Sequence, residues 1–125
     1  MSDPAHSAFW PIEIGINRAN KTLTIAFDDG QRFTFTAEFL RVYSPSAEVR
    51  GHGASERRVI GGCGKVGLTG AEPVGNYALR LIFDDGHDTG LYSWTYLHEC
   101  GLDHERLWRD YLAALAAKGL SRDPA

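Results

Sequence analysis

The tetrapeptide Phe27-Asp28-Asp29-Gly30 occurs a second time as Phe83-Asp84-Asp85-Gly86, and in both places it stands between runs of alternating apolar and small or polar residues. Alternation with a period of two is typical of β-strands. Asp-Gly between two such runs predicts a tight hairpin turn, because glycine tolerates the positive φ that the turn requires. Each copy therefore predicts a strand, a turn and a second strand.

A helix start follows each predicted hairpin. Thr36 can cap a short helix that contains Phe39, and Ser93 can cap a helix that contains Trp94, since a hydroxyl at this position accepts a hydrogen bond from a free backbone N–H of the first turn. We interpret the repeated order of strand, turn, strand and helix as an internal duplication. Two copies are too few for a solenoid, so the repeat favours a pseudo-symmetric antiparallel sheet.

Three further segments complete the predicted fold. Isoleucines alternate over residues 12–16, Gly75-Asn76 is a two-residue turn between the strands 65–74 and 77–83, and one apolar stripe marks residues 103–119 as a helix. A single stripe implies a single buried face. The sequence thus predicts an α+β fold with two layers, a mainly antiparallel sheet, pseudo-duplicated strand-turn-strand-helix units and a C-terminal helix packed across the sheet.

Length and charge limit the possible classes of protein. A chain of 125 residues favours one domain, which we place at residues 11–120 between flexible tails at 1–10 and 121–125. Its 13 basic and 16 acidic residues are interleaved, so no clustered basic face is available for a phosphate backbone. Nucleic acid is therefore excluded as a partner.

The expected compartment is the cytoplasm. No apolar run approaches the roughly 20 residues that span a bilayer, and the first residues lack the basic and apolar stretch of a secretory signal. Only Cys63 and Cys100 occur, and we expect both thiols to be reduced.

Catalytic machinery is not recognisable. The segment Gly61-Gly62-Cys63-Gly64-Lys65 departs from a Walker loop, because Val59 and Val66 stand where a glycine and a magnesium-binding hydroxyl are needed. No serine lies in a Gly-x-Ser-x-Gly elbow, and no histidine begins the His-x-Asp or His-x-Glu pair of an iron oxygenase. We therefore expect no enzyme activity and no cofactor.

A metal site is the alternative hypothesis. Asp84, Asp85, His87 and Asp88 could gather oxygens and one imidazole, and His52 could join them in an iron or zinc domain or a regulator that assists an oxygenase. The spacings Cys-x-x-Cys and His-x-x-x-His are missing, and hairpin turns use aspartate for local hydrogen bonds more often than for ions.

The candidate binding surface is the segment 41–53, which mixes arginine, tyrosine, glutamate and histidine in predicted connecting structure. A capped helical turn with solvated charges is the other interpretation. His87, Tyr92 and Trp94 follow the second turn, and they lie either beside this segment or at its pseudo-symmetric equivalent. The full set of candidate binding residues is Arg41, Tyr43, Ser44, Glu48, His52, His87, Tyr92 and Trp94.

Several stretches resemble the family named after the N-terminal domain of gamma-butyrobetaine hydroxylase, and the likeness covers nearly the whole chain. The stretches are residues 39–53, Glu72-Pro73-Val74-Gly75-Asn76-Tyr77-Ala78, residues 83–89, Tyr92-Ser93-Trp94-Thr95-Tyr96-Leu97 and the helix with Leu107-Trp108-x-Asp110-Tyr111-Leu112. In the hydroxylase, this domain precedes an iron and 2-oxoglutarate oxygenase barrel. The N-terminal domain holds a structural zinc ion. The zinc ligands are a cluster of cysteines that follows a Leu-Arg pair and one histidine further downstream.

The resemblance implies that this member lacks such a zinc site. Leu40-Arg41 is present, but residues 42–49 contain no cysteine, and Leu91 stands at the position of the histidine. Similar domains also end some nucleotide-binding iron–sulfur carrier proteins, and many bacterial members stand alone. These contexts imply a non-enzymatic adaptor that binds a protein partner or small ligand and is linked to iron–sulfur or iron-enzyme metabolism.

Overall fold

The computed structural model describes residues 10–45 and 59–123. It confirms the α+β prediction: the described strands form two antiparallel three-stranded sheets, ordered β1-β2-β3 and β4-β5-β6, with a helix after each sheet and a third helix near the C-terminus. The elements are β1 (Pro11–Asn17), β2 (Thr22–Phe27), β3 (Arg32–Thr36), α1 (Ala37–Val42), β4 (Leu68–Val74), β5 (Ala78–Phe83), β6 (Leu91–Ser93), α2 (Trp94–Leu102) and α3 (His104–Ala117).

The duplicated unit is larger than the sequence predicts, because it includes the strand before each hairpin. β1 pairs with β2 from Pro11 opposite Phe27, and β4 pairs with β5 from Leu68 opposite Phe83. Both pairings are irregular directly after this first pair, as expected where one extra residue forms a bulge. The unit is therefore three strands and a helix.

The two predicted hairpin turns have the same geometry. Gly30 has φ +90° and Gly86 has φ +91°, in the left-handed region that favours glycine. The N–H of Gly30 donates to the carbonyl of Phe27 at 3.1 Å, and that of Gly86 donates to Phe83 at 3.2 Å. The structure confirms both turns.

Both predicted hydroxyl caps are also confirmed. Thr36 Oγ1 accepts from Phe39 N at 3.0 Å, and Ser93 Oγ accepts from Tyr96 N at 3.1 Å. Asp103 precedes α3 but makes no such side-chain bond, because it also ends α2 and its backbone is not extended.

The core is a single cluster of buried side chains that come from both sheets and from the helices. Helix α3 contributes only Tyr111 and Leu115 as buried residues, and it packs on α1 through aromatic contacts. The hydroxyl of Tyr43, at the end of α1, donates to the carbonyl of Leu107 at 2.7 Å. The largest fully buried side chains are Tyr92, Phe27, Phe35, Phe39, Phe83, Leu23, Ile25, Leu40, Leu79, Leu81, Leu97 and Val42.

The beginning of the predicted C-terminal tail, residues 121–125, is attached to the domain. The N–H groups of Gly62 and Gly64 each donate at 2.8 Å, to the carbonyls of Ser121 and Arg122 respectively. Among the helices described here, none is long and apolar enough to cross a membrane.

Candidate functional site

Four polar residues at the end of α1 and in the second turn form a connected group, which we call the clamp: Arg41, Ser44, Asp85 and His87. Arg41 Nε donates to Asp85 Oδ2 at 2.8 Å, and Ser44 Oγ lies 2.9 Å from His87 Nε2. The backbone N–H of His87 donates to Asp85 Oδ1 at 3.1 Å. The clamp therefore ties the last residues of α1 to the second Asp-Asp-Gly turn.

The clamp is largely buried. Ser44 has no exposed surface, His87 is 7% exposed, and the Arg41 side chain is 15% exposed. Gly90 makes this packing possible, because a Cβ at that position would lie 2.4 Å from Ser44 Oγ and 3.1 Å from the Tyr92 ring. Any larger residue at position 90 would collide with the clamp.

Tyr92 supports the clamp by binding the last turn of α1. Its hydroxyl donates to the carbonyl of Leu40, and burial raises the pKa of the Tyr92 hydroxyl above its usual value. A neutral, fully buried phenol of this kind is a fixed hydrogen-bond donor. It holds the last turn of α1 and presents no reactive oxygen to solvent.

The structure brings some of the predicted binding residues together and separates others. Arg41, Ser44, His87 and Tyr92 cluster at the end of α1, where Tyr43 is directed towards α3. Trp94 makes its contacts elsewhere: its indole N–H donates to the carbonyl of Asn76 at 3.0 Å, and its ring packs edge-on against Trp10. Glu48 and His52, with the rest of the segment 46–53, lie outside the described residues.

A second ion pair, not anticipated from the sequence, mirrors the clamp. Asp29 Oδ2 lies 2.7 Å from His98 Nε2, as Asp85 Oδ2 lies 2.8 Å from Arg41 Nε. In both pairs the second aspartate of one turn reaches the helix of the other unit. Arg41 and His98 stand at the same distance in sequence from the caps Thr36 and Ser93, which marks them as equivalent positions of the two units. This equivalence predicts a pair with the opposite turn only when the arrangement of the two units is known.

The Asp29 pair predicts a pH dependence of stability. The N–H of Gln31 lowers the pKa of Asp29 from 3.8, the hydrogen bond and charge of His98 lower it further, and burial opposes both. A carboxyl group with a lowered pKa stabilises the fold above its unfolded pKa, and this contribution is lost as the pH falls through the folded pKa.

We therefore expect Asp29→Asn to destabilise the protein at neutral pH and to match the wild type at a pH well below 3.8. Urea unfolding of both proteins across this range measures the difference in the free energy of unfolding. A difference that stays constant with pH would contradict the assignment.

The residues do not fit a zinc site of the family type. Leu91, at the position of the histidine ligand, is an aliphatic side chain that is 43% exposed, and Val42, at the first position of the cysteine region, is buried in the core. Within residues 10–45 and 59–123, no three His, Cys, Asp or Glu side chains are close enough to share an ion. Tetrahedral zinc sites need cysteine, histidine or carboxylate donors, so neither position can contribute one.

The two thiols are buried as well. Neither Cys63 nor Cys100 is part of a disulfide, and burial raises the pKa of the Cys63 thiol above its usual value. Since the thiolate is the nucleophilic form, this burial disfavours a reactive role for Cys63.

Solved structures of related chains share this fold. Two proteins studied by NMR in solution are 50% and 44% identical to this chain, with TM-scores of 0.83 and 0.82. The first match covers 95% of this chain and 94% of the other, and the second covers 99% and 92%. A crystal structure of a protein of unknown function from Acidithiobacillus ferrooxidans, a member of the DUF971 family, is 32% identical at a TM-score of 0.60 and covers 71% of this chain and 89% of that one.

Among curated proteins, none matches this chain. The family model described as gamma-butyrobetaine hydroxylase-like, N-terminal, matches residues 14–98, a range that begins in β1 and ends in α2, and so covers most of both units and the whole clamp. The chain belongs to the gamma-butyrobetaine hydroxylase-like N-terminal family.

Proposed function

We propose that this chain is a non-catalytic binding module for a protein partner, with the segment 41–53 as its contact surface. The observation that carries the proposal is the clamp. The Arg41 guanidinium bonds to the Asp85 carboxylate, and the Ser44 hydroxyl bonds to the His87 imidazole, so the first residues of that segment are held to the second turn. Side chains engaged in this way position a surface and perform no chemistry on a substrate.

The inward direction of the polar groups supports a role without catalysis. A Ser-His pair becomes a nucleophile only when the serine oxygen can reach a substrate, and Ser44 is fully buried. Asp85 does not complete a triad either, because the N–H it accepts from His87 belongs to the backbone and not to the ring.

Fixed flanks on both sides of residues 46–58 support the choice of surface. On the first side, Ser44 is held by His87, and the carbonyl of Tyr43 accepts from the Tyr96 hydroxyl. On the second side, the Tyr111 hydroxyl donates to the carbonyl of Ile60. A connection positioned by a rigid scaffold is a common location for binding residues.

Arg41 offers a further argument. Its Nη1 is buried and makes no hydrogen bond within the part of the chain that the structure describes. A buried donor without an acceptor is costly, so an acceptor supplied from outside the described residues would be stabilising. We propose that the contact surface, once engaged, provides it.

The family supplies the proposed class of partner. It is named after the N-terminal region of a hydroxylase, and the matched residues cover this region only. We propose that the partner is an enzyme or carrier of iron or iron–sulfur metabolism, for which this chain supplies the accessory domain.

Affinity capture from the source cell tests the surface. We expect the wild-type chain to retain its partner and the triple variant Glu48→Ala, Arg50→Ala, His52→Ala to lose it. Arg41 is left intact because its replacement would leave Asp85 without its ion pair.

The matched control is the double variant Glu13→Ala, Arg32→Ala, which removes an exposed ion pair of the first sheet. Exposed pairs of this kind contribute little to stability, so this variant should fold and retain the partner. Equal capture by the triple variant would reject residues 41–53 as the contact surface.

A further inference from the structure

Residues 121–123 lie in a groove that is lined by the segment 59–64, by Glu38 of α1 and by Trp108 of α3. Two hydrogen bonds hold the backbone of residues 121–123 in place. The N–H of Gly62 donates to the carbonyl of Ser121 and that of Gly64 to the carbonyl of Arg122, both at 2.8 Å. The groove is shaped for backbone: a Cβ at Gly61 would lie 2.8 Å from the carbonyl oxygen of Ser121, and one at Gly64 would lie 2.9 Å from that of Arg122.

One side chain anchors the occupant. Arg122 donates from Nε to Glu38 Oε2 at 2.7 Å and from Nη2 to Glu38 Oε1 at 2.6 Å, a bidentate pair. Its guanidinium also lies 5.3 Å from the centre of the Trp108 ring, within the range of a cation–π contact. The Glu38 side chain is 7% exposed, whereas that of Arg122 is 50% exposed.

We propose that this groove is a binding site for an arginine-bearing peptide segment of another protein, and that residues 121–123 are its resident, exchangeable occupant. The groove recognises two backbone carbonyls and one guanidinium, which any arginine-bearing extended segment can offer. The buried carboxylate of the ion pair, Glu38, belongs to α1 of the first unit. The exposed guanidinium, Arg122, belongs to the occupant. A ligand that displaces residues 121–123 must therefore bring a guanidinium, because an unpaired buried carboxylate is strongly disfavoured.

Lysine should not substitute for arginine in this ligand. Two parallel hydrogen bonds to one carboxylate, combined with stacking on an indole, suit a planar guanidinium and not the compact ammonium of lysine. This difference separates a built arginine site from simple attraction between opposite charges.

The test uses the 125-residue chain with Arg122→Ala, which vacates the guanidinium position and which we expect to fold. The probe is a peptide with the sequence of residues 118–125, Lys-Gly-Leu-Ser-Arg-Asp-Pro-Ala. Titration is followed by the indole N–H signal of Trp108 in NMR spectra. We expect saturable binding, about tenfold weaker when the peptide arginine is replaced by lysine, and lost when Glu38→Gln is added to the protein.

The wild-type chain should bind the same peptide more weakly than the variant does, because its own segment competes. Arg122→Lys serves as a second vacated form in case the alanine variant does not fold. Equal binding of the arginine and lysine peptides, or no binding to either vacated form, would overturn the proposal. A concentration-dependent dimer in which a second copy fills the groove would overturn it as well.

Discussion

Replacing Phe39 by alanine is expected to lower the free energy of unfolding by about 3–5 kcal/mol, the usual cost of removing a large buried ring. Phe39 is fully buried and joins three elements: its ring stacks on Phe35 of β3 at 5.6 Å, lies 5.1 Å from Tyr43, and lies 4.5 Å from His104 of α3. Urea unfolding followed by circular dichroism measures the loss.

Trp108→Ala is the matched control for this experiment. Trp108 lies 6.4 Å from Phe39 but is only partly buried, and the Arg122 guanidinium lies over its ring. Because the cost scales with the apolar area removed from the interior, we expect this larger side chain to contribute about half as much as Phe39. Equal losses would show that Phe39 is not the centre of this contact.

The second large effect is expected for Gly90→Ala. The new Cβ would lie 2.4 Å from Ser44 Oγ, so the clamp must shift, and overpacking of this kind costs about 1–3 kcal/mol. The same variant should weaken partner capture, because residues 41–53 start from the clamp.

A double-mutant cycle with Ser44→Ala isolates the cause. Removing Ser44 Oγ gives the new methyl group room, so Gly90→Ala should be less costly in the Ser44→Ala background than in the wild type. The contact with the Tyr92 ring at 3.1 Å remains in both backgrounds and sets the residual cost. Simple additivity of the two substitutions would contradict a collision between positions 44 and 90.

Features determined by neighbouring residues could be predicted from the sequence. Gly30 and Gly86 adopt positive φ within their own hairpins. Thr36 and Ser93 each cap a helix by accepting from a backbone N–H only three residues further along the chain. The strands that precede the hairpins were also predicted, but their equivalence was not. The sequences Pro-Ile-Glu-Ile-Gly-Ile-Asn and Leu-Thr-Gly-Ala-Glu-Pro-Val have no pattern in common, and only the pairing shows that they correspond.

Features that depend on distant residues could not be predicted. The pair Arg41–Asp85 is separated by 44 positions, Asp29–His98 by 69, and Glu38–Arg122 by 84. The polar composition of residues 121–125 predicts a tail. The sequence does not reveal that Arg122 is bound, because the carboxylate that binds it is contributed by α1. The sequence predicts Arg41 and Ser44 as parts of the segment 41–53, and it leaves open whether His87 and Tyr92 lie beside that segment or at its pseudo-symmetric equivalent. Their common location follows from the packing of two units whose relative placement no local pattern specifies.

The crossed contacts between turns and helices also describe how the two units depend on each other. Each unit carries an aspartate that is bound by the helix of the other, so one unit alone would leave this turn and this helix without their partners. A half-length chain could satisfy both only by pairing with an identical copy about a twofold axis, the commonest symmetry of protein dimers. The domain therefore resembles such a dimer in one respect, because each half completes a contact that begins in the turn of the other.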